Sequence, residues 1–262
     1  MTKPWPELYT GGWTVTGNVG KVKVQHELRS LIDRRPDLRV LDIGCIGPQP
    51  LDFWRPLLEG TSFHLTGVDV ADIERGMAVV REQGWGSRVS LHTGSGYGLT
   101  DLFSPDSFDA LVATQVLEHV ARLDLFMKQV GTVVRPGGDV FFTLDSAHWL
   151  SRFTPSEPVR LAKNVVKKAL SVVGRERHYD LPWFDHEVEA ACRRAGLEVV
   201  SFGYYNIPEL KYIYGQVLPP AERNAFAQRW FELEDALNAR PEVRERARHC
   251  FLVLYVHARR RA

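Results

Sequence analysis

Leu-Arg-Val-Leu-Asp-Ile-Gly-Cys-Ile-Gly-Pro fills positions 38–48, and Gly-Val-Asp-Val fills 67–70. The first run is apolar and is cut off at Gly44, so it reads as a buried strand ending in a tight turn. A second apolar run, Phe63 to Val68, closes at Asp69, whose carboxylate can accept both hydroxyls of a ribose. Ligands of open α/β sheets lie at the carboxyl ends of the strands, so the two ends together read as a nucleoside cradle. A dinucleotide fits poorly. Its pyrophosphate needs the close backbone approach of G-x-G-x-x-G, and here the turn offers Gly44 and Gly47. A smaller, phosphate-free ligand is favoured.

Working outward, Val22, Val24, Leu28, Leu31 and Ile32 recur at near-helical spacing, which predicts a helix over 19–34 stopped by Pro36. A second helix is expected from Pro48 toward Glu59, kinked or shortened at Pro56. Ile73 to Gln83 reads as a crossover helix, Arg88 to His92 as strand three, and Ser107 to Ala113 as strand four. Leu123 to Val134 reads as a helix, and Arg135-Pro-Gly-Gly138 as a turn into the strand Asp139 to Leu144. Asp185 is expected to cap a helix running to Arg194, followed by strand six at Leu197 to Tyr204. The stretch 219–248 is charged and helical, and Phe251 to His257 is a last strand. Alternation of this kind predicts a doubly wound, mostly parallel α/β sheet, because parallel neighbours need long, right-handed crossovers.

Four separated segments now stand in order: the Gly44 turn, the Asp69 strand end, Gln115-Val-Leu-Glu-His-Val120 after strand four, and the Pro136-Gly-Gly138 turn. In that order they resemble class I S-adenosylmethionine-dependent methyltransferases over roughly residues 20–205, and small-molecule and sugar O-methyltransferases within them. The resemblance implies a Rossmann-like, seven-stranded sheet with an antiparallel last strand, and S-adenosylmethionine as cofactor. Residues 1–18 are then an N-terminal arm and 19–262 the methyltransferase domain. Within it, 146–181 is a helical lid insertion, helical in pattern over 159–173, and 206–249 a helical insertion before the last strand.

The family's D-x-G-x-G-x-G loop maps onto Asp42, Gly44, Ile46 and Pro48, so the first glycine is kept and the other two are replaced. Cofactor contacts are expected from Asp42, Gly44, Cys45, Ile46, Asp69, Val70, Gly94, Ser95 and Gln115. Ser95 stands where the family usually has an aspartate on the adenine amino group, and Tyr97 can wall that pocket. Plainer readings exist for each: Asp69 can cap a helix, and Gly94 to Gly98 can be a glycine loop.

A hydroxyl is a poor nucleophile until its proton leaves, so a histidine with a carboxylate partner suits an acceptor oxygen at neutral pH. Glu118 and His119 after strand four, with Asp145 and His148 after strand five, are the catalytic candidates, His119 as general base. Alternatively Glu118, His119 and Asp145 hold Mg²⁺ on an acceptor diol. For His178, Trp183, Phe184, Tyr204 and Tyr205 a pocket wall competes with ordinary packing. The expected reaction is methylation of a small-molecule hydroxyl, on a sugar or secondary metabolite. Transfer to nitrogen or carbon and a non-catalytic binding module are the alternatives.

A length of 262 residues suits one sizeable core with an added cap. The net charge of +1 gives no global pull toward nucleic acid or membrane. No aromatic-interleaved basic arm or base-methylating motif follows strand four, so a nucleic-acid partner is not expected. The six basic residues between Arg160 and Arg177, against Glu176, read as a solvated face or an anionic contact. No run approaches about 18 apolar residues, the length a spanning helix needs. Three scattered cysteines, Cys45, Cys192 and Cys250, suggest neither a disulfide framework nor a zinc site, and a cytoplasmic setting is expected. The oligomeric state, a homodimer included, is open.

Overall fold

The computed structural model describes residues 18–47, 50–151 and 182–262. Its framework is a seven-stranded sheet in the order β3-β2-β1-β4-β5-β7-β6. The strands are β1 (Arg39–Ile43), β2 (His64–Asp69), β3 (Val89–Thr93), β4 (Phe108–Thr114), β5 (Val134–Asp145), β6 (Leu197–Tyr205) and β7 (Val253–Arg260). From β3 through β5 all neighbours are parallel, whereas β7 runs antiparallel to both β5 and β6. Strand order reverses between β1 and β4. Their following loops part in opposite directions there and leave a crevice at the sheet's carboxyl edge.

Parallel strands covered on both faces read as continuous apolar runs, and β4 is buried along all but its last residue. One face carries α1 (Val19–Arg34), with Val22, Leu28 and Ile32 turned inward beside Val40, Val112 and Tyr255. The other carries α5 (Leu123–Val133) and α7 (Asp185–Arg194), which bury Phe126, Met127, Val130 and Val188 against Leu41, Leu111 and Val256. Each such aliphatic or aromatic side chain contributes about 1.5 to 3 kcal/mol on full burial. The shorter α2 (Arg55–Leu58), α3 (Glu74–Glu82), α4 (Leu99–Leu102) and α6 (Ala147–Ser151) fill the remaining crossovers.

Several expected boundaries shift for identifiable reasons. The helix expected from Pro48 to Glu59 is reduced, among described residues, to α2. Pro56 lies in its first turn, where a missing N–H costs nothing, so it opens the helix and does not kink it. The Arg135–Gly138 turn is absorbed into β5 as an irregularity: Phe108 pairs with Val134 but Ala110 pairs with Asp139, and Gly137 takes φ +74°. Phe184, not Asp185, is the N-cap of α7, and the Glu187 carboxylate accepts from the Phe184 backbone N–H at 3.0 Å. The charged helix expected over 219–248 splits at Pro241 into α9 (Pro220–Asn238) and α10 (Pro241–Ala247), preceded by α8 (Pro208–Tyr212). Of the expected lid, residues 152–181 lie outside the described residues, as do the helix over 159–173 and its basic run. Among the described residues no helix is long and apolar enough to cross a membrane.

Candidate functional site

Gly44 continues the β1–β2 ladder by donating to the Val68 carbonyl at 2.8 Å, then turns with φ +81°. A Cβ there would stand 2.6 Å from Val116 Cγ2, so the glycine is required by the close approach of the loop after β4. Asp69 ties the edge together. One of its carboxylate oxygens accepts from the Ile46 N–H at 2.7 Å, the other from the Ala71 N–H at 2.9 Å, and its carbonyl accepts from Gly94 at 2.8 Å. A carboxylate offers about four lone-pair sites, which leaves acceptor capacity for two hydroxyls. Val70 beside it is 66% exposed, an apolar surface next to the ribose-accepting candidate that suits one face of a purine. Gly47 has open space around its Cα.

Cys45 and Ile46 use their side chains inward: Cys45 Sγ fills the place where a Gly67 Cβ would be, and Ile46 packs over Gly76. Burial pushes the Cys45 thiol up and leaves it unreactive. What these two residues can turn to a ligand is backbone.

Beneath the turn, Asp42 is 6% exposed and accepts from Trp54 Nε1 at 2.6 Å. Burial pushes its carboxyl up to about 7, against the pull of the Trp54 bond and the Lys21 charge. Lys21 comes from the first turn of α1. Burial lowers its ammonium pKa, and the Asp42 and Glu118 charges draw it back.

Gln115, in the left-handed region at φ +56°, is the hub of the crevice. Its N–H donates to the Thr143 carbonyl at 2.7 Å. Its Oε1 accepts from Asn18 Nδ2 at 2.9 Å, and its Nε2 donates to Glu118 Oε1 at 2.6 Å and to Asp145 Oδ1 at 3.3 Å. Four predicted residues thus share one edge of the sheet: Glu118 buried, Gln115 and Asp145 half-buried, and His119 exposed at the end of the 3-10 turn Leu117–His119.

The metal alternative gains no support. Among the described residues no three His, Cys, Asp or Glu side chains gather closely enough to hold a metal, so Glu118, His119 and Asp145 form no such set. The Gln115 amide reaches both carboxylates, while His119 stands exposed at the end of the turn.

His148 lies elsewhere. It is buried on α6 with Nε2 3.2 Å from Asp185, among Phe184, Tyr204 and His249. Tyr204 donates its hydroxyl to Asp185 and Tyr205 to Asp235, so both tyrosines are core anchors. Trp183 is buried with Nε1 on the Leu117 carbonyl at 2.9 Å, and His178 lies outside the described residues. Across the crevice, Ser95 Oγ accepts from the Tyr97 N–H at 3.2 Å, and the Arg122 guanidinium stacks 5.1 Å over Tyr97.

Asn18 falls in the stretch expected to be an arm and Lys21 inside the expected helix, so neither reads as a site residue from the sequence. The available signal was an asparagine just before an apolar-periodic helix, the usual N-cap. Asn18 does cap α1, its Oδ1 accepting from the Lys21 N–H at 3.1 Å.

A family model described as a methyltransferase domain matches residues 21–202. A ubiquinone biosynthesis O-methyltransferase of Azorhizobium caulinodans is 30% identical over 188 residues, 66% of this chain and 64% of that one, just under two thirds of the relative's length. One from Aromatoleum aromaticum is 28% identical over 217 residues, 79% of this chain and 86% of that one. Among solved structures, a geranyl diphosphate C-methyltransferase from Streptomyces coelicolor superposes with a TM-score of 0.55 at 14% identity, covering 92% of this chain and 83% of that one. That last likeness is one of fold.

Proposed function

Because this chain belongs to the class I S-adenosylmethionine-dependent methyltransferases, we propose that it methylates a hydroxyl group of a small molecule, with His119 as the general base. When bound, S-adenosylmethionine supplies a sulfonium methyl as electrophile. The Gly44 turn, the spare acceptor capacity of Asp69 and the exposed Val70 face fit its nucleoside. Lys21, beside Asp42 and Glu118, is suited to its amino-acid carboxylate. The observation that carries the acceptor side is the contrast at one turn: Glu118 buried and held by Gln115, His119 next to it exposed at the end of the 3-10 turn after β4.

In this reading His119 takes the acceptor proton as the oxygen attacks in line, and most of the acceleration comes from holding the two reactants in attack geometry. Relatives named as O-methyltransferases support an oxygen acceptor. Sugars and aromatic secondary metabolites are the classes to try first. Three free thiols, Cys250 exposed among them, support work in a reducing compartment such as the cytoplasm. The test is transfer of a labelled methyl from S-adenosylmethionine to a panel of hydroxyl-, amine- and carbon-acceptor compounds. Product carrying the label on nitrogen or carbon, with none on oxygen, would sink the proposal.

A further inference from the structure

We propose that Asn206, held by Glu234, is a positioning residue of the methyl-transfer site, docking the first turn of α1 so that Asn18 meets Gln115. The inference rests on the reading of that site as the cofactor site. Asn206 follows β6 and is 1% exposed, in the left-handed region at φ +67°. That backbone is uncommon for a residue with a side chain, and asparagine is among the few that adopt it readily. Its Oδ1 accepts from the Val19 N–H at 2.8 Å, one of the donors a helix start leaves without an internal partner. The neighbouring Asn18 then reaches Gln115, and through its amide Glu118 and Asp145.

Asn206 is itself clamped. Its N–H donates to Glu234 Oε2 at 2.7 Å, and its carbonyl accepts from Leu252 at 3.0 Å. Glu234 is 0% exposed on α9, and its other oxygen accepts from Ile207 N–H at 2.7 Å and Trp230 Nε1 at 2.6 Å. A fully buried carboxylate is costly unless donors surround it, and two of these three come from the turn that presents Asn206. The Asn206 amide can face Val19 in one sense, since a flipped amide would set its NH₂ against an N–H. Its Nδ2 is left buried with no acceptor among the described residues. A hydrogen-bond path therefore runs from Glu234 in the C-terminal insertion to the Gln115 hub. The insertion thereby becomes part of how the site is held.

The experiment is S-adenosylhomocysteine affinity by titration calorimetry on the full chain. Asn206→Gly keeps the left-handed backbone and deletes the acceptor, and should weaken binding about fivefold to tenfold, the size of a lost helix cap. In a Gln115→Ala background Asn206→Gly should weaken binding no further, because its effect passes through Gln115. Additive losses, or wild-type affinity in Asn206→Gly, would overturn the inference. Should Asn206→Gly fail to fold, Asn18→Ala enters the same cycle, with non-additivity expected and additivity fatal. A wild-type protein that does not bind S-adenosylhomocysteine overturns the cofactor reading, and the inference with it.

Discussion

The Ile46 backbone N–H donates to the Asp69 carboxylate at 2.7 Å, joining the turn after β1 to the end of β2. Asp69 therefore has two tasks, shaping the turn and offering its remaining lone pairs to a ribose. Asp69→Ala loses both. A hydrogen bond to a charged group contributes about 1.5 to 3 kcal/mol, so S-adenosylhomocysteine binding should weaken by about one to two orders of magnitude. Calorimetry checks this, and unchanged affinity would remove Asp69 from the cofactor site.

His119→Ala should lower kcat by about 10²- to 10⁴-fold while S-adenosylhomocysteine affinity stays nearly constant, the pattern of a group acting on the acceptor proton. Chelator should leave the rate intact, since Glu118, His119 and Asp145 form no metal-holding set. Activity abolished by chelation and restored by Mg²⁺ would reverse the assignment.

The central strands were legible because both faces of the sheet are covered there, so β4 and the inner part of β5 are buried nearly throughout and read as largely apolar runs. Asp69 and Gln115 could be placed because each ends or follows an apolar run. Asn18, Lys21, Asn206 and Glu234 could not. Their roles depend on contacts between residues far apart in sequence, 97 positions for Asn18 with Gln115 and 187 for Val19 with Asn206. Glu234 sits in a helix whose pattern reads as a charged surface, yet its side chain is enclosed by three donors. Tyr204 and Tyr205 read as pocket candidates from composition. The carboxylates that anchor them, Asp185 and Asp235, come from other elements.

Gly44 is fixed by two separable constraints, a positive φ and the Val116 side chain 2.6 Å from where a Cβ would lie. Gly44→Ala should cost about 1 to 3 kcal/mol from the backbone alone, with the Val116 clash added. Val116→Ala should relieve the clash but not the backbone strain. Stability of the double variant by denaturant unfolding should therefore recover part of the loss and never all of it. Complete recovery would show that the turn tolerates a side chain, and would undo the argument that backbone conformation requires this glycine.

Stability should decline as pH rises from about 4 to about 7. Burial pushes Asp42 and Glu234 up to about 7, from ordinary values of 3.8 and 4.5. Between those limits the folded chain keeps protons that the unfolded chain has released, so folding binds protons and weakens as pH rises through the window. Asp185 acts in the opposite sense. Burial opposes its ionisation, yet the bonds from His148 and Tyr204 hold it well below the usual range, so its contribution is present at neutral pH and is lost in strong acid. Tm should accordingly be greatest at about pH 4, where the two windows meet, and fall on both sides. Asp42→Asn keeps an acceptor for Trp54 Nε1 without the buried charge, so it should flatten the decline between about pH 4 and 7 and raise Tm at pH 8 relative to wild type. Thermal melts across pH 3 to 9 decide the matter: a wild-type Tm that climbs steadily from pH 5 to 8 would contradict the burial argument for both carboxylates.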